Sequence, residues 1–215
     1  MPVRPERRRR VYLLIAGVVL LYILYVVLNN YVIDPGAETF LGYKTDLGRE
    51  LKLRIWLKVM YVHVGFACLA MASGLANFSS WSYVLHRHFH RANGWLYVSS
   101  VLIVVLTSGY MAPYANGGKV SSMGFNLLNM LWLIATTTAL VYIFKRRADR
   151  HRQWMLRSYA FCFTNMLIHL LAFVLHDIIG IAYAESYTIA VYGAIALVLA
   201  APELLIRAGA GTKSG

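Results

Sequence analysis

Apolar residues follow one another along this chain in six long stretches, separated by short polar segments. Each stretch has about 20 residues, the length of a helix that crosses a hydrocarbon core of ~30 Å. A segment in such a core must satisfy its own backbone hydrogen bonds, so each stretch is predicted to be a helix. The predicted spans are residues 11–32, 55–78, 93–114, 124–144, 154–176 and 187–208.

This pattern predicts an all-α fold, in which residues 1–215 form a single six-helix transmembrane domain. The seven histidines lie in or beside the second to fifth spans, and the first and sixth spans contain none. Ionisable and polar side chains in a span avoid lipid. We therefore expect helices 2–5 to form an inner four-helix bundle with a polar lining, flanked by the first and sixth helices.

The distribution of charge predicts the orientation of the spans. Only 14% of the residues are charged, against about a quarter in a soluble domain. Basic residues gather in alternate loops, which predicts cytoplasmic N- and C-termini. The net charge of +12 follows from this asymmetry and from attraction to anionic lipid. We expect no nucleic-acid partner, because the basic residues are divided among segments. They are Arg4, Arg7, Arg8, Arg9 and Arg10; Arg87 and Arg91; Lys145, Arg146, Arg147, Arg150 and Arg152; and Arg207 and Lys213.

Two features of the chain bear on processing and on disulfide bonds. A basic segment before an apolar run also describes a signal peptide, but this run is too long and no small-x-small cleavage pattern follows Asn30. The first span is therefore predicted to be a retained helix. Cys68 and Cys162 lie inside spans without a Cys-x-x-Cys spacing, and we interpret them as small core residues.

Histidines are predicted at two depths of the membrane. His151 and His169 are 18 residues apart in the fifth span, which is five helical turns, so both should lie on one face with Ser158. Counted along the helices, His63 and His169 are level towards the outer side. His90 and His151 are level at the inner edge. The sequence thus predicts an outer and an inner histidine layer facing the bundle interior.

Two imidazoles at equal depth on facing helices are the ligand set of a six-coordinate haem. The pairs would be His63 with His169 and His90 with His151, and Arg152 and Arg157 would pair with haem propionates. Three alternatives stay open: another metal, a role in proton handling, or interhelical hydrogen bonds alone. Arg157 has a rival partner in Glu203, which lies at similar depth in the sixth span. For His86 and His88 we favour a basic loop contacting lipid over a metal site.

Two motifs carry a resemblance to a known family. They are His90-Arg91-x-x-Gly94-x-x-Tyr97 and His151-Arg152-x-Trp154-Met155-x-Arg157-Ser158-Tyr159. Together with His63 upstream, they resemble the uncharacterised bacterial membrane-protein family catalogued as domain of unknown function 2306. The resemblance covers roughly residues 59–160 and implies a polytopic protein of the bacterial cytoplasmic membrane, with no established reaction. The residues it singles out here are His63, His90, Gly94, Tyr97, His151, Trp154, Met155 and Arg157.

A looser likeness is to two-haem b-type cytochromes with six helices, which oxidise ascorbate or quinol and reduce an acceptor across the membrane. Those proteins place two ligand pairs on four central helices, whereas the fourth span here has no histidine. The leading hypothesis is a b-type haem protein that moves electrons between a quinol and a partner protein. The alternatives are a non-redox scaffold or assembly factor, and a metal-binding membrane protein or transporter. The sequence specifies no catalytic residue, substrate or oligomeric state.

Overall fold

The computed structural model describes residues 5–43, 50–79 and 87–211, and every regular element in these ranges is helical. Three of the membrane-spanning segments, the first, third and fifth, contain short 3-10 or π turns. Those turns are Asn29–Ile33, Ala112–Tyr114, Phe161–Phe163 and Val174–Ile178. The α-helices are α1 Pro5–Leu28, α2 Glu38–Gly42, α3 Leu53–Phe78, α4 Arg87–Met111, α5 Gly118–Phe144, α6 Ala148–Ala160, α7 Thr164–Phe173 and α8 Tyr183–Gly211.

Within the described ranges, six helical segments are long and apolar enough to cross a membrane, which confirms the predicted architecture. The third, fourth and fifth spans begin six residues before the predicted positions. Polar residues precede the apolar run there, and they continue the helix beyond the part that hydropathy marks. The spans are Arg9–Ile33, Leu53–Phe78, Arg87–Tyr114, Gly118–Phe144, Ala148–Ile178 and Tyr183–Ala208.

Hydrogen bonds show that the first and second spans run antiparallel. Near the start of α1, Tyr12 Oη donates to the Leu75 carbonyl at the end of α3 (3.2 Å). Beyond the other end of α1, Tyr31 Oη donates to the Tyr61 carbonyl (2.6 Å). We call the side that carries the start of α1, the end of α3, the turn 145–147 and the end of α8 the basic side. The other end of the bundle is called the opposite side.

The second to fifth spans pack together, as predicted, and the sixth span packs against the fourth and fifth. It contacts α5, α6 and α7, and its Ala190, Val191 and Ala194 are fully buried. Small side chains let these helices approach closely. The sixth helix thus flanks the inner bundle, as expected. The first span is more peripheral, since it packs mainly on α3.

The fifth span is not one regular helix. Its α6 and α7 are joined by the 3-10 turn Phe161–Phe163. A 3-10 turn has 3.0 residues per turn instead of 3.6, so three residues rotate the following helix by about 60° relative to an unbroken α-helix. Ser158 before the turn is fully buried, whereas Asn165 and His169 after it are exposed on the surface of the chain. The single inward polar face predicted for this span is therefore interrupted at its middle.

Candidate functional site

His90 and His151 are brought together on the basic side. His90 lies in the first turn of α4 and His151 in the first turn of α6, and the two half-buried rings are within electrostatic reach of each other. His151 Nδ1 lies 2.8 Å from the Ala139 carbonyl of α5. Because a carbonyl can only accept, Nδ1 carries the proton and Nε2 keeps its lone pair. Two imidazoles from separate spans thus lie within electrostatic reach of each other, and the hydrogen bond fixes the tautomer of His151.

An amide network ties α4 to α3 one turn further into the bundle. Asn93 Nδ2 donates to the Ser73 carbonyl (2.7 Å) and to Asn77 Oδ1 (2.9 Å). Both bonds join the helix that carries His90 to its neighbour, so they fix the position of this end of α4. Sequence reasoning missed Asn93, although it stands three residues after His90.

A chain of hydroxyl groups, Tyr97–Ser158–Thr136, crosses the interior between three spans. Tyr97 Oη and Thr136 Oγ1 each lie 2.7 Å from Ser158 Oγ. Thr136 donates its one hydroxyl proton to the Trp132 carbonyl (2.8 Å). Ser158 therefore donates to Thr136, and Tyr97 donates to Ser158. We call these three residues the hydroxyl chain; all of them are buried.

Tyr159 packs the fifth span against the second. Its hydroxyl donates to the Met71 carbonyl (3.0 Å), and its ring lies so close to Gly74 that a Cβ there would overlap it. The ring also packs against Phe78 and Tyr97. The motif His151–Tyr159 thus contributes a ring to the inner layer, a hydroxyl to the interior and an anchor on α3.

His63 lies in the other half of the bundle and faces the third span. Its Nδ1 is 3.0 Å from Thr107 Oγ1, and the Thr107 hydroxyl itself lies 2.7 Å from the Ile103 carbonyl and 2.9 Å from the Val104 carbonyl. Threonine in a helix commonly donates to such a carbonyl. Thr107 then accepts from His63, so His63 has the same tautomer as His151. Sequence reasoning missed Thr107, which lies beside Ser108 at the end of the apolar run 101–106.

His169 lies one turn after Asn165 on α7. Asn165 Nδ2 donates to Tyr22 Oη of the first span (3.1 Å), and His169 is exposed. The facing outer pair of His63 and His169 stays a prediction.

Arg157 is paired with Glu203, the alternative partner to a haem propionate. Its Nε donates to Glu203 Oε1 (2.6 Å), and its guanidinium carbon lies 4.7 Å from the centre of the Trp154 ring. Arg152, in contrast, is exposed on the basic side. His88 is also exposed, and His86 lies outside the described residues. Across the described ranges, no three His, Cys, Asp or Glu side chains group closely enough to hold a metal ion on their own.

Comparison with known proteins finds one family. Residues 60–206 match a family described as "Predicted membrane protein (DUF2306)". The match extends beyond the segment that carries the sequence motifs and takes in the sixth span. No curated protein matches the chain, and no solved structure matches it.

Proposed function

We propose that this chain, which belongs to the DUF2306 family of predicted membrane proteins, holds a b-type haem between His90 and His151. In this proposal it passes electrons between a quinol in the bilayer and a partner protein. The observation that supports it is the juxtaposition of two imidazoles from separate spans, one with Nε2 left as a base. By the positive-inside rule we place the basic side in the bacterial cytoplasm and the spans in the inner membrane.

The donor set suits iron. A histidine that donates Nδ1–H to a backbone carbonyl is held in the orientation and tautomer of a metal ligand. The haem would supply a one-electron centre, and the chain would hold it and set its polarity. Among the basic side chains, Arg91 and Arg152 are exposed beside the two histidines and can pair with propionates. Arg157 is less suited, since its Nε is committed to Glu203.

The outer pair is left out of this proposal. His63 is bonded to Thr107 of the third span, and Asn165, one turn before His169, is bonded to Tyr22 of the first span. We assign His63 the role of joining the second and third spans through Thr107. The proposal is thus one haem on the basic side and none on the opposite side.

The test is an absorption spectrum of detergent-purified protein from haem-replete cells, with iron, copper and zinc measured on the same sample. We expect a Soret band, and an α band after reduction with dithionite or a short-chain quinol. His90→Ala and His151→Gly should lose both bands, and added imidazole should restore them in His151→Gly. His176→Ala is the matched control, because His176 also donates Nδ1–H to a carbonyl, that of Ile181, but on the opposite side.

A folded, colourless and iron-free preparation would end the haem proposal. That result would favour a second candidate function, a non-redox membrane scaffold, because the hydrogen bonds of His63 and His151 also join helices. It expects a partner protein or lipid headgroup to be recognised by the basic edge. Under that candidate, Arg152→Gln reduces partner recovery, while His151→Gly reduces only stability.

A further inference from the structure

A groove runs along the outer surface of the bundle between α5, α6 and α8, on the basic side. Its volume is about 250 Å³. Ile134 and Leu199 are exposed along it, so it opens sideways to the surrounding lipid. The floor and walls are apolar, formed by Leu131, Ile134, Ala135, Phe161, Val198 and Leu199.

The groove has one polar end. Trp154, Arg157 and Glu203 line it there, and the Arg157–Glu203 ion pair balances its own charge. A guanidinium has five N–H donors, and this ion pair uses Nε. Donors on the two terminal nitrogens of Arg157 therefore remain to meet an oxygen of a molecule in the groove.

Beyond the polar end, cations follow on the same helix faces. Arg150 precedes Trp154 by four residues, and Arg207 follows Glu203 by four, so each lies one turn nearer the water. Arg207 also interacts electrostatically with Glu203. Lys145 directly follows α5 and comes 11 residues, about three helical turns, after Ile134, so it continues the helix face that carries Ile134. Since Arg157 already balances Glu203, the mouth of the groove carries an excess of positive charge.

We propose that this groove binds an anionic phospholipid of the phosphatidylglycerol type. One acyl chain lies on the apolar floor, the glycerol ester oxygens meet Arg157, and Arg150, Arg207 and Lys145 bind the phosphate. Any lipid chain would fit the floor, but only a headgroup with net negative charge gains from the cations at the mouth. Basic pockets between membrane helices bind anionic headgroups in this way.

The experiment uses the full chain in nanodiscs of equal parts phosphatidylglycerol and phosphatidylcholine. The protein is then released into the gas phase, and retained lipid is identified by native mass spectrometry. We expect retained phosphatidylglycerol in excess over phosphatidylcholine. Arg150→Gln combined with Arg207→Gln should reduce that excess about tenfold. Arg10→Gln combined with Arg87→Gln removes two exposed basic-side cations on other helices and should leave it unchanged.

Two further measurements separate the groove from its charges. Ile134→Trp fills the floor and should abolish retention, while Leu106→Trp places the same ring on an exposed position of α4 and should not. In the protein without these substitutions, phosphatidylglycerol with brominated acyl chains should quench Trp154 fluorescence more than brominated phosphatidylcholine does. The quenching assigned to Trp154 is the difference from Trp154→Phe.

Equal retention of both lipids would overturn the proposal, and so would equal losses in the two double variants. A stable dimer that buries this groove and excludes lipid would also overturn it. Because the readouts are lipid retention and tryptophan quenching, the result does not depend on whether a haem is bound.

Discussion

The two halves of the bundle use the same kinds of polar side chain in different ways. On the basic side, the hydroxyl chain and Tyr159 are buried and bonded between helices. Towards the opposite side, His63 is half-buried, and Asn165 and His169 lie on the surface. Each of these polar groups in the basic half lies in the protein interior, so the loss of one partner leaves a buried group unsatisfied. The basic half should therefore determine stability, and the following variants test that difference.

Gly74→Ala should have the largest effect. The added Cβ overlaps the Tyr159 ring, which is held by its bond to the Met71 carbonyl. Overpacking of this kind costs about 1–3 kcal/mol of unfolding free energy. The control is Gly109→Ala on α4 towards the opposite side, where nothing lies within 4 Å of a new Cβ. Unfolding by SDS titration in mixed micelles measures both, and equal losses would contradict the comparison.

Ser158→Ala should come next. It removes the middle of the hydroxyl chain and leaves the buried Tyr97 donor without that acceptor, at a cost of about 1–2 kcal/mol. Thr107→Val, the counterpart on the other half, should cost about 0.6 kcal/mol, a typical value for a hydrogen bond between membrane helices. The same titration applies. A larger loss in Thr107→Val would show that the half-buried His63 contact matters more than the buried chain.

Tyr22→Phe should have a small effect. It deletes the acceptor for Asn165, where both residues sit at the periphery, so we expect a loss of about 0.6 kcal/mol or less. Tyr25→Phe is the matched control, since Tyr25 lies on the same helix and is 61% exposed. If Tyr22→Phe destabilised the protein as much as Ser158→Ala, the first span would have to be regarded as part of the core.

Asp34 should show the smallest, purely local effect. Its carboxylate accepts the backbone N–H of Glu38 (2.8 Å) and of Thr39 (3.0 Å), and these bonds hold the pKa of Asp34 below its ordinary value of about 3.9. The stabilisation is present above that ordinary value and is lost as the pH falls through the lowered one.

Hydrogen exchange can follow this effect at α2. Relative to intrinsic rates, the amides of Glu38 and Thr39 should exchange faster once the pH falls below about 4. Asp34→Asn should remove that pH dependence, and Asp177→Asn should keep it. A change in the unfolding of the whole bundle over the same pH range would contradict a local role.

The six spans could be predicted because hydropathy marks their apolar runs, whereas the polar residues that begin three of them were left out. The pairing of Arg157 with Glu203 was foreseen as one of two alternatives, since both lie at similar depth. His90 and His151 were predicted to be level, and they lie within electrostatic reach of each other. In each case, the information needed was the distance along a helix, which the sequence gives directly.

Other features depended on direction around a helix axis, which the sequence gives poorly. The 3-10 turn Phe161–Phe163 contains no proline or glycine, the residues by which a break in a helix can be recognised in a sequence. The partner of His63 was missed because any polar residue on three neighbouring spans was an equal candidate. The alanines by which the sixth span packs closely could not be singled out, because alanine carries no polar signal.

The buried Ala190 and Ala194 of the sixth span, here called the alanine seam, also have a consequence for biogenesis. The sixth span leaves the ribosome after the other five, yet Ala190 and Ala194 are fully buried and Thr188 bonds to Ser121 of the fourth span (2.9 Å). Until it inserts, the fourth and fifth spans present an unfilled side to lipid or to the translocon. The packing of these six spans is therefore completed by the sixth span. A nascent chain stalled before residue 183 leaves the seam uncovered, where membrane proteases and chaperones can recognise it.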